Sequence, residues 1–127
     1  MPSLFLALAS LSGFLGVGIG AFGAHALKDK LTPELATIFQ TGVQYHLVHT
    51  LALFGVGLLI SVMPQASIPR VSGYLFMAGI VLFSGSLYIL AITGVRWLGA
   101  ITPLGGVCFL TAWALLAWFA FTLPAQQ

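Results

Sequence analysis

The sequence predicts an all-α integral membrane protein, a bundle of four membrane-spanning helices, and two observations lead to this fold class. Hydrophobic residues make up 60% of the 127 residues and charged residues only 5%, whereas about 25% of a soluble domain is charged. The apolar residues also fall into four stretches, each close to the ~20 residues that a helix needs to cross a ~30 Å hydrocarbon core. We therefore expect one transmembrane domain, residues 1–127, with lipid as its main solvent.

The predicted spans cover residues of about 4–24, 45–63, 72–92 and 104–123. Backbone groups in lipid must bond within their own segment, which favours helices, and the strict alternation of a membrane β-barrel is absent. The first span lacks the positively charged start of a secretory signal, so we interpret it as a membrane helix. Thr102 is expected to cap the fourth helix and Pro103 to occupy its first position.

The segment between the first two spans is predicted to form an amphipathic helix over residues 33–44. Its apolar residues, such as Leu35 and Ile38, recur at spacings of three and four. Thr32 is expected to cap this helix and Pro33 to begin it. The pattern favours a short helix in the membrane interface, and the alternative is an extension of the second span.

A row of small residues follows one stripe of the first span, at spacings of three and four. These residues are Ala9, Gly13, Gly16, Gly20 and Gly23. In lipid, small residues allow helices to approach closely and gain packing energy. We expect a helix-packing seam whose partner is another span or a second copy of the chain, with packing inside one chain favoured.

Alternating topology brings most of the unusual polar residues to one face of the membrane. The candidate cluster consists of His25, Tyr45, His46, His49, Ser84, Ser86, Tyr88 and Thr102. At ~1.5 Å per residue, His49 and Tyr88 are each expected about 6 Å inside their predicted helix ends. Burying an unpartnered polar group in hydrocarbon costs several kcal/mol, so these groups should face one another or water.

Two functional interpretations of this cluster stay open. In the first, a structural or accessory membrane protein uses the polar groups to lock helix ends together. In the second, the cluster is a small-molecule site that binds metal or haem or conducts a proton or solute. Three neutral imidazoles are capable of binding a transition metal, but no carboxylate is clearly placed to join His46 and His49. The structural interpretation is therefore favoured.

Other activities have no support in the sequence. No nucleophile–base set, phosphate loop or dinucleotide motif is present, so we expect no enzyme activity and predict no cofactor. Cys108, the single cysteine, has no partner for a disulfide within the chain. No basic patch points to nucleic acid. The expected partner is the lipid bilayer, with other membrane proteins or self-association as further possibilities.

Five motifs, in order along the chain, resemble those of the YgdD-like proteins, a small four-helix inner-membrane family of unknown function with eukaryotic relatives. The motifs are SGFLGVGIGAFGAHAL, TGVQYHLVHTLAL, LFSGSLY, ITPLGG and AWALL. The resemblance covers nearly the whole chain. It implies a four-span protein of the bacterial inner membrane and no established biochemical activity.

The resemblance also bears on individual residues. The family's recurring polar positions fall on His25, Tyr45, His49, Ser84, Ser86, Tyr88, Thr102 and Pro103, and its glycines on Gly13, Gly20 and Gly23. His46 departs from the family pattern, which lowers the weight of a three-histidine metal site.

The resemblance and the local charges disagree about orientation. Relatives with basic termini imply that both termini are cytoplasmic. Lys28, Lys30 and Arg96 outnumber Arg70, which by the positive-inside rule favours the opposite orientation. Because this count is small, we follow the resemblance and expect cytoplasmic termini.

Overall fold

A computed structural model describes residues 2–125, and these residues form an all-helical protein. The helices are α1 (Pro2–His25), α2 (Pro33–Val62), α3 (Ser67–Gly79), α4 (Gly85–Thr93) and α5 (Thr102–Thr122). One π-helical turn, Ile80–Ser84, joins α3 to α4, so Ser67–Thr93 forms a third span, and a 3₁₀ turn, Arg96–Ala100, precedes α5. Among the described residues, four helical stretches are long and apolar enough to cross a membrane. The predicted fold class is confirmed.

Helix α2 is continuous over 30 residues, and residues 33–44 are its first part rather than a separate interfacial helix. Thr32 caps it as predicted, since its hydroxyl accepts the N–H of Leu35 at 3.2 Å, and Pro33 lies in the first turn. No proline follows before Val62, so the helical hydrogen bonding has no reason to stop. At ~1.5 Å per residue the helix is about 45 Å long, longer than a ~30 Å hydrocarbon core.

The connection from α4 to α5 depends on a glycine. Gly94 has a φ of 72°, and its N–H bonds to the Leu90 carbonyl at 2.7 Å. Glycine adopts this left-handed conformation without steric strain. The prediction that Thr102 caps α5 is wrong. Thr102 is the first residue of α5, because Ile101 before it already has a helical conformation. The Thr102 hydroxyl bonds to Ser86 instead.

An exposed ion pair joins the 3₁₀ turn to the start of α2. The Arg96 guanidinium donates from Nη1 to Oε1 of Glu34 at 3.0 Å and from Nη2 to Oε2 at 3.3 Å. Such exposed pairs contribute about 0–1 kcal/mol. The pair nevertheless places the α1–α2 and α4–α5 connections on the same face of the bundle, in agreement with alternating threading.

Helix α2 and the third span are the central helices of the bundle. In the most apolar stretch of each, 39% and 44% of residues are buried, against 17% in α1 and 17% in the stretch that contains α5. Helix α1 packs mainly on α2, and α5 mainly on α3 and the π turn. The outer helices therefore present most of their apolar surface to lipid.

The buried core lies where these helices meet. Phe5 from α1, Leu53 and Ile60 from α2, and Phe76 from α3 belong to one cluster of almost inaccessible side chains. A smaller cluster around Phe39 packs near the other end of α1. Together the clusters hold α2 in register with its neighbours, which fixes the height of the polar residues on α2.

The small residues of α1 lie against α2. The facing pairs are Gly13–Thr50, Gly16–Leu47, Gly20–Val43 and Gly23–Phe39. Ala9 is 1% exposed and extends the same stripe into the larger core cluster. From one pair to the next, the residue number rises along α1 and falls along α2, as it does in two antiparallel helices in close contact.

The third span and α5 approach most closely at a pair of glycines. A methyl group built at Gly105 would overlap the backbone of Phe83, and one at Gly79 would lie 3.2 Å from the Gly105 carbonyl and overlap the Phe109 ring. Neither helix has room for a side chain at this crossing. Backbones at such a distance also gain dispersion energy, which is a main source of helix association in lipid.

Candidate functional site

Two imidazoles lie near the middle of α2. His46 and His49 follow Pro33 by 13 and 16 residues, or about 20 and 24 Å at ~1.5 Å per residue. The expected depth of about 6 Å had been counted from Tyr45, where the strongly apolar run begins, whereas the helix begins at Pro33. The imidazoles therefore lie at mid-length of the helix.

His46 is the centre of a chain of hydrogen bonds that links α1, α2 and α4. Its Nε2 lies 3.0 Å from Oγ of Ser12, and its Nδ1 lies 2.9 Å from the hydroxyl of Tyr88. Ser12 Oγ is also 2.6 Å from Oγ1 of Thr50, one turn further along α2. We call Thr50, Ser12, His46 and Tyr88 the His46 chain.

His49 points toward α3 and α5 and makes a separate set of contacts. Its Nδ1 donates to the Tyr45 carbonyl at 2.7 Å, and its Nε2 accepts the indole N–H of Trp113 at 3.1 Å. Its ring stacks on Phe109 at a centroid distance of 3.6 Å. Because an indole only donates and a carbonyl only accepts, these partners fix one neutral tautomer of His49.

Two serine hydroxyls of the third span, those of Ser84 and Ser86, bond to neighbouring helices. Ser84 donates to the Gly42 carbonyl at 2.7 Å, which ties the π turn to α2. Ser86 donates to the Phe83 carbonyl at 2.9 Å and lies 2.6 Å from the Thr102 hydroxyl. These bonds join helix to helix without reaching either imidazole.

The candidate residues are thus divided among several groups rather than gathered into one cluster. Tyr88 joins His46, the Tyr45 backbone joins His49, and Ser86 joins Thr102. The Tyr45 ring lies against Phe83 at a centroid distance of 4.5 Å. His25 lies in the last turn of α1 with an exposed side chain and belongs to none of these groups.

Three residues of the hydrogen-bond networks around the imidazoles were not among the candidate residues. Ser12 and Thr50 complete the His46 chain, and the indole of Trp113 bonds to His49. Helical spacing contained a signal for two of them. Thr50 is four residues after His46, and Ser12 is four residues before the seam glycine Gly16, so each lies beside a residue already singled out.

Two cavities adjoin the imidazoles. One of about 370 Å³ lies between α1 and the third span, with Ser12, His46 and Tyr88 among its lining residues. A second, of about 470 Å³, is lined by residues that include His49 and Trp113. The cavities share no lining residue, so each imidazole borders its own space.

The arrangement does not form a metal centre within residues 2–125. There, no three side chains of histidine, cysteine, aspartate or glutamate come together in a way that could hold a metal ion. His46 and His49 face different helices, and each of their four ring nitrogens is within hydrogen-bonding distance of a protein atom. What the arrangement does chemically is to give every imidazole nitrogen a partner inside an apolar bundle.

The sequence also matches a family model, described as "Protein of unknown function (DUF423)", over residues 19–106. The chain belongs to this family. The UPF0382 membrane protein YwdK of Bacillus subtilis is 47% identical over 113 residues, which cover 89% of this chain and 92% of the relative. The UPF0382 inner membrane protein YgdD of Escherichia coli is 43% identical over 118 residues, covering 91% of this chain and 88% of the relative.

This membership confirms the resemblance to YgdD-like proteins. The DUF423 chain is an integral, multi-pass membrane protein of the bacterial inner membrane, with the lipid bilayer as its environment. A UPF0382 membrane protein of Staphylococcus epidermidis is similarly close, at 46% identity over 113 residues. No solved structure matches the chain.

Proposed function

We propose that the chain is an accessory membrane protein without catalytic activity, a single four-span domain whose internal polar contacts fix the packing of its helices. Hydrogen bonds of this kind are expected to define which helices meet and in which register. Lipid is expected to surround the bundle, and the proposed structural role requires no cofactor. Other membrane proteins, or a second copy, are the remaining candidates for its partners.

One observation carries this proposal: all four ring nitrogens of His46 and His49 have partners inside the protein. A metal or haem ligand needs a free nitrogen lone pair, and a ligand at His49 would have to displace the indole of Trp113. An unpartnered imidazole in hydrocarbon would cost several kcal/mol, whereas a fully bonded one is stable. The geometry therefore favours a structural role over a metal or haem site.

Replacing His46 or His49 by alanine is expected to lower the free energy of unfolding by about 1–2 kcal/mol each, because hydrogen bonds between membrane helices are worth about 0.6 kcal/mol on average and two are lost with some packing. Unfolding is measured by titrating purified protein in detergent micelles with SDS. His25→Ala is the matched control, since this histidine is exposed, and it should change stability little.

The same samples test the metal alternative. Wild-type protein is expected to contain no stoichiometric metal, to lack a Soret band, and to show equal melting temperatures with and without added zinc, nickel or copper. Stoichiometric metal or haem that disappears in His49→Ala would contradict the proposal. So would His46→Ala and His49→Ala variants as stable as His25→Ala.

We also propose that both termini are cytoplasmic, which places the connection with Lys28 and Lys30 outside. Four spans bring the termini to the same side. A green fluorescent protein fused after Gln127 should then fluoresce, and alkaline phosphatase fused there should be inactive. The same phosphatase inserted at Asp29 should be active, and the reverse pattern would show that the positive-inside count decides the orientation.

A further inference from the structure

The His46 chain contains more hydrogen-bond donors than it uses. Thr50, Ser12 and Tyr88 each contribute one O–H, and the neutral imidazole of His46 contributes one N–H, so four protons are available. Within residues 2–125, these four groups make three hydrogen bonds, all with one another. Whichever tautomer His46 adopts, one proton lacks an acceptor.

The direction of the bonds decides where that proton lies. When Tyr88 donates to His46 and His46 donates to Ser12, the proton left over is on Thr50 or on Ser12, because either hydroxyl can donate in the bond between them. When Thr50 donates to Ser12 and His46 donates to Tyr88, the phenol proton is left over. An acceptor beside Tyr88 would complete the chain in the second direction, with all three bonds and the new one aligned.

Tyr88, His46 and Ser12 border the 370 Å³ cavity between α1 and the third span. Its remaining wall is apolar, as at Leu8 and Ile80. Leu11, Leu15 and Val81 at its edge are 55%, 49% and 70% exposed, so the cavity opens sideways into the surrounding lipid. A space of this size is in the range of small-molecule pockets, about 300–1,000 Å³.

The depth of the cavity limits what can supply the acceptor. Tyr88 lies five residues before the end of the third span, but its hydroxyl reaches back to His46 at mid-length of α2, and Ser12 lies near the middle of the 24-residue helix α1. Phospholipid headgroups and their ester carbonyls lie at the boundary of the ~30 Å hydrocarbon core, roughly 15 Å from its middle. The acceptor must therefore belong to a molecule that dissolves in the bilayer interior.

We propose that this cavity binds an apolar carbonyl compound from the bilayer, of the isoprenoid quinone class, and that the Tyr88 hydroxyl donates to its carbonyl oxygen. The ring would occupy the cavity and the isoprenoid tail would extend through the lateral opening. Binding transfers no electrons and forms no covalent bond. It selects the direction of the His46 chain in which His46 donates to Tyr88.

Gly85 provides a variant that fills the cavity. It lines the cavity, and a methyl group built on it has no neighbour within 4 Å. Gly85→Leu should therefore fold normally while occupying the ligand's space. Gly55→Leu is the matched control, because Gly55 lies in α2 with equally open surroundings and does not line the cavity.

The test measures binding of radiolabelled decylubiquinone to the protein in phospholipid nanodiscs, with empty nanodiscs subtracted. We expect saturable binding to the wild type and to Gly55→Leu, and none to Gly85→Leu. Tyr88→Phe keeps the ring and removes the donor, so it should bind about 2- to 10-fold more weakly, as the loss of one hydrogen bond predicts. The infrared stretch of a ¹³C-labelled carbonyl should move to lower frequency on binding the wild type but not Tyr88→Phe.

Several results would overturn the proposal. These are non-saturable binding to the wild type, unchanged binding to Gly85→Leu, or equal affinity for the same decyl-substituted ring without carbonyl groups, which would indicate a groove for acyl chains. Loss of a wild-type dimer in Gly85→Leu, seen by light scattering, would instead assign the groove to a second copy. Because the structural proposal is tested by the unfolding of ligand-free protein, either proposal can fail alone.

Discussion

Replacing Gly105 by valine is expected to lower the free energy of unfolding by about 3 kcal/mol, at the upper end of the usual cost of overpacking. The added side chain would overlap the backbone of Phe83 on the third span. A backbone cannot rotate away as a side chain can, so the two helices must separate along their contact. SDS titration of the purified protein measures the loss, and a low yield of folded protein in the membrane would accompany it.

Gly106→Val is the matched control for this prediction. A methyl group at Gly106 would meet only a ring carbon of Phe83 at 3.9 Å, an ordinary contact distance. Both variants introduce the same β-branched residue into the first turns of α5, so their helix propensities are equal. Equal stabilities for the two variants would show that α5 does not cross the third span at Gly105.

Replacing Gly23 by leucine is expected to cost about 2–3 kcal/mol. The new side chain would overlap the ring of Phe39, which is 2% exposed and lies 5.3 Å from the Tyr88 ring. A cavity of about 190 Å³ borders both residues, so the phenyl ring relieves part of the overlap there and α1 must move away from α2 to relieve the rest. The change in unfolding free energy in micelles is again the measurement.

Gly18→Leu separates this effect from the general effect of losing a glycine. Gly18 lies in the same helix, and a methyl group built on it meets nothing within 4 Å. Leucine is a better helix former than glycine by about 0.5–1 kcal/mol, so this variant should be as stable as the wild type or slightly more stable. If Gly23→Leu behaves like Gly18→Leu, the seam does not hold α1 against α2.

The spans were predictable from the sequence because their signal is local. A run of about 20 apolar residues is sufficient to indicate a helix in lipid, and the four runs correspond to the four long helices. The start of α2 was harder, since residues 33–44 are amphipathic and suit either an interfacial helix or a longer span. Helix α2 continues through Tyr45 without a break, so residues 33–44 belong to the longer span. A hydropathy profile does not show whether a helix is continuous at such a position.

The partners of the imidazoles were less predictable because they depend on contacts between helices. Nothing in the sequence fixes how far α1 slides along α2, and a shift of one turn would move Ser12 from His46 to another residue. His49 illustrates the same point, since its contact with Trp113 requires the relative height of α2 and α5. Residue types indicated that polar groups would meet, while pairwise packing determined which ones met.

The π turn at Ile80–Ser84 has a consequence for everything that follows it in the third span. Bonding from the Gly85 N–H to the Ile80 carbonyl makes the turn one residue longer than an α-helical turn. Since each residue advances an α-helix by about 100°, deleting one residue here would rotate the phenol of Tyr88 off the side that it shares with His46. Two chains that differ by this single residue would have nearly the same hydropathy profile and quite different interiors.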